Sequence, residues 1–406
     1  MSRPPAPVRV VNAVGGRTGY FGPLGRLDAE AFLAAARRRT GLSDLGPDTT
    51  EAFGVLVDSL DREAGLTSFG RVVLGRMLRT FLAQRLRVVE ALRCRPDLAA
   101  APVRRPLFVV GYWRTGTTLL QNLLAQAHGA RPLRGYEAFD PAAFVPGGRY
   151  QRRLRYALLL RGLWYLGPDV AKIHNEVSDG PTECLLLLTR SFTTLHLPMM
   201  VSVPSYERWL WEQDANAFAA VYELHRMQLQ TLQADGPAGY WVLKSPAHLN
   251  TLESLLRVYP DAAVVQTHRD PAKVVASLSS LVAQGISLLA QEPEPYVVGR
   301  QVLERTTRTL DRVQRTRATV GDDRIIDVRY ADLLADPIGV VDRILERFDY
   351  PRTAASRQHM RRWLADNPQG KHGTHRYSLQ QFGLDPATVY QLTARYRQRF
   401  QIPTEN

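Results

Sequence analysis

Four short runs of apolar and β-branched residues alternate with longer stretches whose apolar positions have helical spacing. The runs cover residues 107–110, 240–243, 262–267 and 325–328. Runs this short and this apolar are typical of strands that are buried on both faces of a parallel sheet. After the first run, Leu119, Leu120, Leu123 and Leu124 fall on one helix face. The alternation of strand and helix predicts an α/β fold, with a parallel sheet flanked by helices.

The first hundred residues follow a different pattern. Residues 1–23 predict an irregular leader, whereas residues 27–39 and 50–98 carry apolar side chains at helical spacing. The stretch 69–93 is amphipathic and rich in arginine. We therefore expect a leader and helical extension over residues 1–100, and one α/β domain over residues 101–406.

Composition narrows the class of protein. Hydrophobic residues make up 45% of the chain and charged residues 22%, which is ordinary for a globular protein. The sequence has no uncharged apolar run of about 18 residues, and its N-terminus lacks the apolar core of a signal peptide. Cys94 and Cys184 are the only cysteines, too few for a disulfide framework. These features predict a cytoplasmic protein without a membrane span.

The chain carries a formal net charge of +13, which favours anionic partners. It contains no long basic block, and two cysteines cannot form a zinc finger, so we expect no nucleic-acid partner. The stretch 150–166 alternates arginines with apolar and aromatic residues. It is interpreted either as a helix that covers the core, or as a cap over an apolar acceptor pocket or a helix on a membrane surface.

The first predicted strand leads into a glycine loop. Gly111 and Gly116 bound the sequence GYWRTG, and Thr117 and Thr118 begin the next helix. In a strand, glycine loop and helix of this kind, backbone N–H groups and the helix dipole bind phosphate or a similar anion. A nucleotide kinase or NTPase needs lysine where Thr117 stands, whereas the cation here is Arg114. A kinase or NTPase therefore stays an alternative, as does a non-catalytic protein that binds nucleic acid or membranes.

Polar residues also follow the other predicted strands, at the edge where open α/β sheets bind ligands. Lys244 and His248 follow the second strand, Arg269 follows the third, and Tyr330 follows the fourth. Farther on, the segment 366–384 combines two glycines with several basic residues. This segment is interpreted either as a solvated loop or as a basic loop that folds over an anion.

The sequences GYWRTGTT, THRDPAKVVASL, VRYADLLADP and GKHG together resemble the sulfotransferases that use 3′-phosphoadenosine 5′-phosphosulfate (PAPS), in particular the bacterial-type branch. The resemblance covers about residues 104–400 and implies their P-loop NTPase-like fold. It implies a donor site with these members: Arg114, Thr115, Gly116, Thr117 and Thr118 at the 5′-phosphosulfate; Arg269 and Ser277 at the 3′-phosphate; Tyr330 beside the adenine; Lys371, His372 and Gly373, with His375 nearby, over the nucleotide. Thr115 replaces a more usual serine, and Trp113 stands where many members have proline.

The resemblance also implies a reaction. A sulfuryl group would pass from PAPS, without a metal, to a hydroxyl or amine of a small-molecule or lipid-like acceptor, and Arg114 and Lys244 would balance the negative charge. The acceptor needs a general base. The candidates are Glu137, His248 and a looser group of His174, Glu176 and Glu183. The sequence is also compatible with a homo-oligomer and with peripheral membrane contact.

Overall fold

Five parallel strands form the centre of the fold in a computed structural model of the chain. They are β1 (Leu107–Gly111), β2 (Ala130–Pro132), β3 (Tyr240–Lys244), β4 (Ala263–His268) and β5 (Ile325–Arg329). The sheet order is β2-β3-β1-β4-β5, and every neighbouring pair is parallel. The structure describes residues 6–17, 26–142, 148–166, 176–236, 239–368 and 377–405. The predicted α/β class and its four apolar strands are confirmed.

Helices cover both faces of the sheet. In chain order they are α1 (Ala6–Arg17), α2 (Ala29–Thr40), α3 (Thr50–Arg62), α4 (Ser68–Cys94), α5 (Pro96–Ala100), α6 (Thr117–Leu124), α7 (Gly135–Phe139), α8 (Gly148–Leu166), α9 (Leu185–Thr189), α10 (Pro204–Glu212), α11 (Ala215–Leu232), α12 (Leu252–Val258), α13 (Pro271–Leu289), α14 (Pro295–Val320), α15 (Tyr330–Ala335), α16 (Pro337–Arg347), α17 (Ala354–Asp366), α18 (Pro386–Leu392) and α19 (Ala394–Arg399). Short 3₁₀ turns cover Leu197–Met199, Gln233–Asp235, Pro246–Thr251 and Gln380–Phe382.

The alternation of side chains along β1 divides the core between the two faces. Phe108 and Val110 join a large cluster that includes buried residues of α3, α4 and α11. Leu107 and Val109 pack instead with the leucines of α6 and the apolar face of α16. The N-terminal helices thus share a continuous core with the sheet, and α6 is held against the face opposite to them.

Two elements differ from the sequence-based expectation. Helix α1 replaces the irregular leader over residues 6–17, because Val8 is buried and the Asn12 side chain accepts a hydrogen bond from the Phe69 N–H at 2.9 Å. These contacts with α4 override the poor helix propensity of valine and glycine. Strand β2 was missed because ARP has no apolar run. It lies at the sheet edge, where proline is tolerated.

Among the described residues, α13 is the one helix that is long and apolar enough to cross a membrane. Over 18 of its residues the mean hydropathy is 1.5, so this helix could cross a bilayer if only its length and composition are considered. Most of that stretch is buried inside the protein, as in the core helix of a globular fold. The helix begins directly after β4 and brings Ser277 to the edge of the sheet.

Candidate active site

The glycine loop connects β1 to α6 through a left-handed turn. Arg114 has φ 68° and Gly116 has φ 90°. A Cβ atom on Gly116 would lie 2.8 Å from Cδ2 of Tyr330, so glycine is required by both conformation and space. Thr115 holds the turn from inside, because its Oγ1 donates to the Tyr112 carbonyl at 2.6 Å. The turn leaves the first N–H groups of α6 without intrahelical acceptors, which suits an anion.

Four residues from three separate sequence motifs meet beside this loop. Arg114 Nε donates to Ser277 Oγ at 3.1 Å. Arg269 Nη1 donates to the Arg114 carbonyl at 3.1 Å, and its guanidinium lies 4.2 Å from the centre of the Tyr330 ring. Two cationic groups, a hydroxyl and an aromatic ring therefore converge at the carboxyl edge of β1, β4 and β5.

Glu405 already places a carboxylate on the Arg269 guanidinium. Its oxygens accept hydrogen bonds from Arg269 Nε at 3.0 Å and from Nη2 at 2.8 Å. The backbone N–H of Glu405 donates to Asp270 Oδ2 at 2.8 Å, and the Tyr390 hydroxyl donates to the same oxygen at 3.0 Å. The guanidinium is thus oriented to bind a planar or tetrahedral anion through two donors. Sequence analysis missed Glu405, since no motif connects it with Arg269.

A lysine, a glutamate and a threonine form a second charged group at the start of α6. Lys244 ends β3 and is buried, with its Nζ 3.4 Å from Thr118 Oγ1. The same ammonium forms an ion pair with Glu183. The Cys184 N–H donates to the Lys244 carbonyl at 2.7 Å, which holds the glutamate segment beside β3. A carboxylate and an ammonium group therefore flank the N-terminus of α6.

Glu137 is the first candidate for the general base, and both of its carboxylate oxygens accept hydrogen bonds from nearby arginines. It is buried on α7, where Oε2 accepts a hydrogen bond from the Arg134 N–H at 3.0 Å. Oε1 accepts one from Arg131 Nη2 at 3.1 Å. Both oxygens thus stabilise the first turn of α7 and its junction with β2, and these contacts do not include the glycine loop.

His248, the second candidate, is fully buried on the face of the sheet that carries Phe108. Its ring packs edge-on against Phe108 at 5.0 Å, and Nδ1 lies 2.9 Å from the Tyr222 hydroxyl. Burial lowers the pKa of His248 well below its ordinary value, and the neighbouring His225 lowers it further. The structure therefore places His248 in a cluster of aromatic side chains, where it is not exposed to solvent.

Some of the remaining predicted residues lie near the site, and the others lie outside the described ranges. Glu176 accepts a hydrogen bond from the Thr182 hydroxyl, on the segment that leads to Glu183. Thr117 is buried at the start of α6, whereas Thr118 is exposed. Five residues lie outside the described ranges: His174, Lys371, His372, Gly373 and His375.

Comparison with known proteins gives consistent results. Residues 106–354 match the sequence model of the sulfotransferase family. The crystal structure of sulfotransferase STF9 from Mycobacterium avium is 31% identical, with a TM-score of 0.80, and the match covers 94% of this chain and 98% of that one. Sulfotransferase STF1 from Mycobacterium tuberculosis H37Rv is also 31% identical, with a TM-score of 0.76, over 91% and 99%.

A third relative carries a substrate in its name. The omega-hydroxy-beta-dihydromenaquinone-9 sulfotransferase Stf3 of Mycobacterium bovis is 25% identical over 287 residues. The match covers 68% of this chain and 71% of the relative.

Proposed function

Because this chain belongs to the sulfotransferase family, we propose that it transfers a sulfuryl group from PAPS to the hydroxyl of a lipid-like alcohol. The observation that carries the proposal is the convergence of Arg114, Ser277 and Arg269 on one side of the glycine loop. Thr117 stands where an ATP-binding loop needs lysine, which favours a phosphosulfate over a nucleoside triphosphate.

The described residues fit the two anionic ends of PAPS. Arg269 and Ser277 would hold the 3′-phosphate, and the Glu405 carboxylate supports this role because it occupies the guanidinium as an anion would. Tyr330, which stacks under Arg269, would lie beside the adenine. The N–H groups at the start of α6, together with Arg114, would hold the 5′-phosphosulfate.

Positive charge lies where the reaction needs it. The acceptor oxygen forms a bond to sulfur while the bond from sulfur to the 5′-phosphate oxygen breaks, and the electron pair of that bond stays on the phosphate. Lys244 and Arg114 flank the start of α6 and would stabilise the charge that develops on the bridging oxygen. Such a reaction depends on positioning and electrostatics, as phosphoryl transfer does.

We propose Glu183 as the general base that accepts the proton of the acceptor hydroxyl. It pairs with Lys244 beside Thr118, whereas the hydrogen bonds of Glu137 serve α7 and His248 lies in the core. The Lys244 ammonium lies between the Glu183 carboxylate and Thr118 at the start of α6, so the proposed base and the proposed anionic donor would lie on either side of the same cation.

A lipid-like acceptor is supported by two observations. Stf3, which is named for a hydroxylated menaquinone derivative, matches more than two thirds of this chain. Helix α8, which follows α7 in the chain, carries several large apolar side chains that are exposed to solvent. A long apolar tail with a terminal hydroxyl group would satisfy both.

The proposal is tested by incubating the protein with PAPS and farnesol, a long-chain isoprenoid alcohol, and measuring PAP and the sulfate ester by mass spectrometry. We expect both products in equal amounts. Absence of PAP with farnesol and with simple alcohols and phenols would contradict the proposed reaction.

The base is tested with Glu183→Gln, which should lower turnover by about 100-fold or more while PAP binds at least as tightly as before. Glu223→Gln is the matched control, because Glu223 pairs with Arg226 on the exposed part of α11. If Glu183→Gln keeps full activity and Glu137→Gln loses it with an unchanged melting temperature, the base is Glu137.

A further inference from the structure

Helix α8 carries large apolar side chains on both of its faces. On the inner face, Tyr156 and Leu160 are buried against Tyr136 of α7. On the outer face, four large side chains are open to solvent: Tyr150 is 76% exposed, Leu154 48%, Leu158 61% and Tyr165 68%. Large apolar side chains on a helix surface normally pack against a partner, and the outer face of α8 has no covering layer within the described chain.

The outer residues form a stripe along the helix that is interrupted by Arg161. Tyr150, Leu154 and Leu158 are four residues apart, and Tyr165 follows after two further turns of the helix. At 100° per residue they fall within roughly 80° of one another, opposite to Tyr156. We call Tyr150, Leu154, Leu158 and Tyr165 the outer stripe. Exposed apolar surface of this kind marks a contact with a membrane or another protein.

The charge of α8 favours a membrane over another protein molecule as the partner of this face. Its 19 residues include five arginines and no acidic residue. Arg152 and Arg153 pair with Asp235 and Asp179 of neighbouring segments, whereas the exposed Arg155 borders the outer stripe and the exposed Arg161 lies within it. Two copies of this face placed together would oppose arginine to arginine. An anionic lipid surface instead satisfies the leucines, the tyrosines and the arginines together.

We propose that α8 lies on an anionic membrane, with the outer stripe inserted among the acyl chains and with Arg155 and Arg161 at the lipid phosphates. Five arginines exclude a transmembrane orientation for this helix, whereas long arginine side chains at an interface can keep their charge in water. This inference rests on the lipid-like acceptor of the proposed function, because a membrane is where such an alcohol is found.

The proposed membrane face is connected to the active site. The Ser178 hydroxyl donates to the Arg153 carbonyl at 2.9 Å, and Arg153 also pairs with Asp179. These two residues lie on the same short segment as Glu183, whose carboxylate contacts Lys244. Helix α8 is thus joined by direct contacts to the segment that carries the proposed base.

The test is co-sedimentation of the full chain with vesicles of phosphatidylcholine alone and of phosphatidylcholine mixed with phosphatidylglycerol. We expect binding to the mixed vesicles that weakens as salt rises. Leu154→Gln combined with Leu158→Gln should weaken it by about tenfold or more, because two inserted leucines are lost. Leu392→Gln, at an exposed leucine of α18, is the matched control and should bind as the wild type does.

The other outcomes separate this inference from the proposed function. No binding to mixed vesicles, or equal binding by the double variant, overturns the membrane contact. A dimer in light scattering that the double variant dissolves would assign the stripe to a second copy and would also overturn it. A rise in the melting temperature with PAP reports binding at the donor site alone. If PAP gives no such rise in the wild type, that result contradicts the proposed function and not the membrane contact.

Discussion

At the scale of single residues, the proposed donor site would depend most on Arg269. Its guanidinium holds a carboxylate through two donors, touches the glycine loop through the Arg114 carbonyl, and stacks on Tyr330. No neighbouring side chain can replace all three functions. Lysine would keep the charge but lose the fork of donors, so even a conservative change should be felt.

We predict that Arg269→Ala weakens PAP binding by roughly 2 kcal/mol or more, since a charge-assisted phosphate contact is lost. Isothermal titration calorimetry measures the effect, and Arg269→Lys should fall between the wild type and alanine. Arg257→Ala, on the exposed end of α12, is the control. Equal affinity in Arg269→Ala and the wild type would remove Arg269 from the donor site.

Sequence alone identifies some site residues and misses others for physical reasons. Arg114, Arg269 and Tyr330 could be predicted because each follows a strand in a local motif. Glu183 was only one of several candidates, because its meeting with Lys244 depends on how a loop docks on β3. Glu137 has a suitable position in the sequence, but its hydrogen bonds to Arg131 and Arg134 are visible only in the fold.

At the scale of elements, the segment after α19 affects the donor site. Residues 400–405 return along the protein so that Glu405 reaches Arg269 and Asp270. The Glu405 carboxylate and the 3′-phosphate of the donor would need the same guanidinium donors. If Arg269 binds the 3′-phosphate as proposed, the segment would release its guanidinium, or share it, when the nucleotide binds.

We predict that Glu405→Gln increases the affinity for PAP several-fold, because the competing charge is removed while the backbone contact with Asp270 remains. Calorimetric titration of PAP gives the affinity. Glu346→Gln, at the exposed pair with Arg352, is the matched control. Weaker binding in Glu405→Gln would instead mean that the glutamate supports the nucleotide site.

Elements differ in how well sequence predicts them. β1 and β4 are buried throughout because helices cover both faces, and the apolar run that begins each strand makes them recognisable in the sequence. Strand β2 has three residues, one of them proline, and its pairing with β3 is a tertiary event. Helix α1 depends likewise on contacts of Val8 and Asn12 with the rest of the fold.

At the scale of the whole molecule, two buried histidines connect folding with pH. Burial lowers the pKa of His225 to about 3 and the pKa of His248 well below its ordinary value of 6.5. Both are therefore neutral in the folded protein at pH values where the unfolded chain binds protons. Their contribution to stability is complete above pH 6.5 and is lost as pH falls through this window toward 3.

We predict that His225→Gln flattens the loss of stability between pH 7.5 and pH 5, by on the order of 1 to 2 kcal/mol relative to the wild type. Urea unfolding at the two pH values measures the difference, whatever the variant does to stability at pH 7.5. His359→Gln, at an exposed position on α17, should leave the pH dependence unchanged. An equally steep loss in His225→Gln would assign the acid sensitivity elsewhere.

We propose that the glycine loop and the converging arginines form a site for PAPS, and the melting temperature measured with and without PAP is the simplest test of this site. A ligand at about 100 times its dissociation constant adds about 2.7 kcal/mol to the folded state. We predict a clear rise with PAP and none with ATP and magnesium. A rise with ATP and magnesium but not with PAP would contradict the assignment and identify the loop as an ATP site.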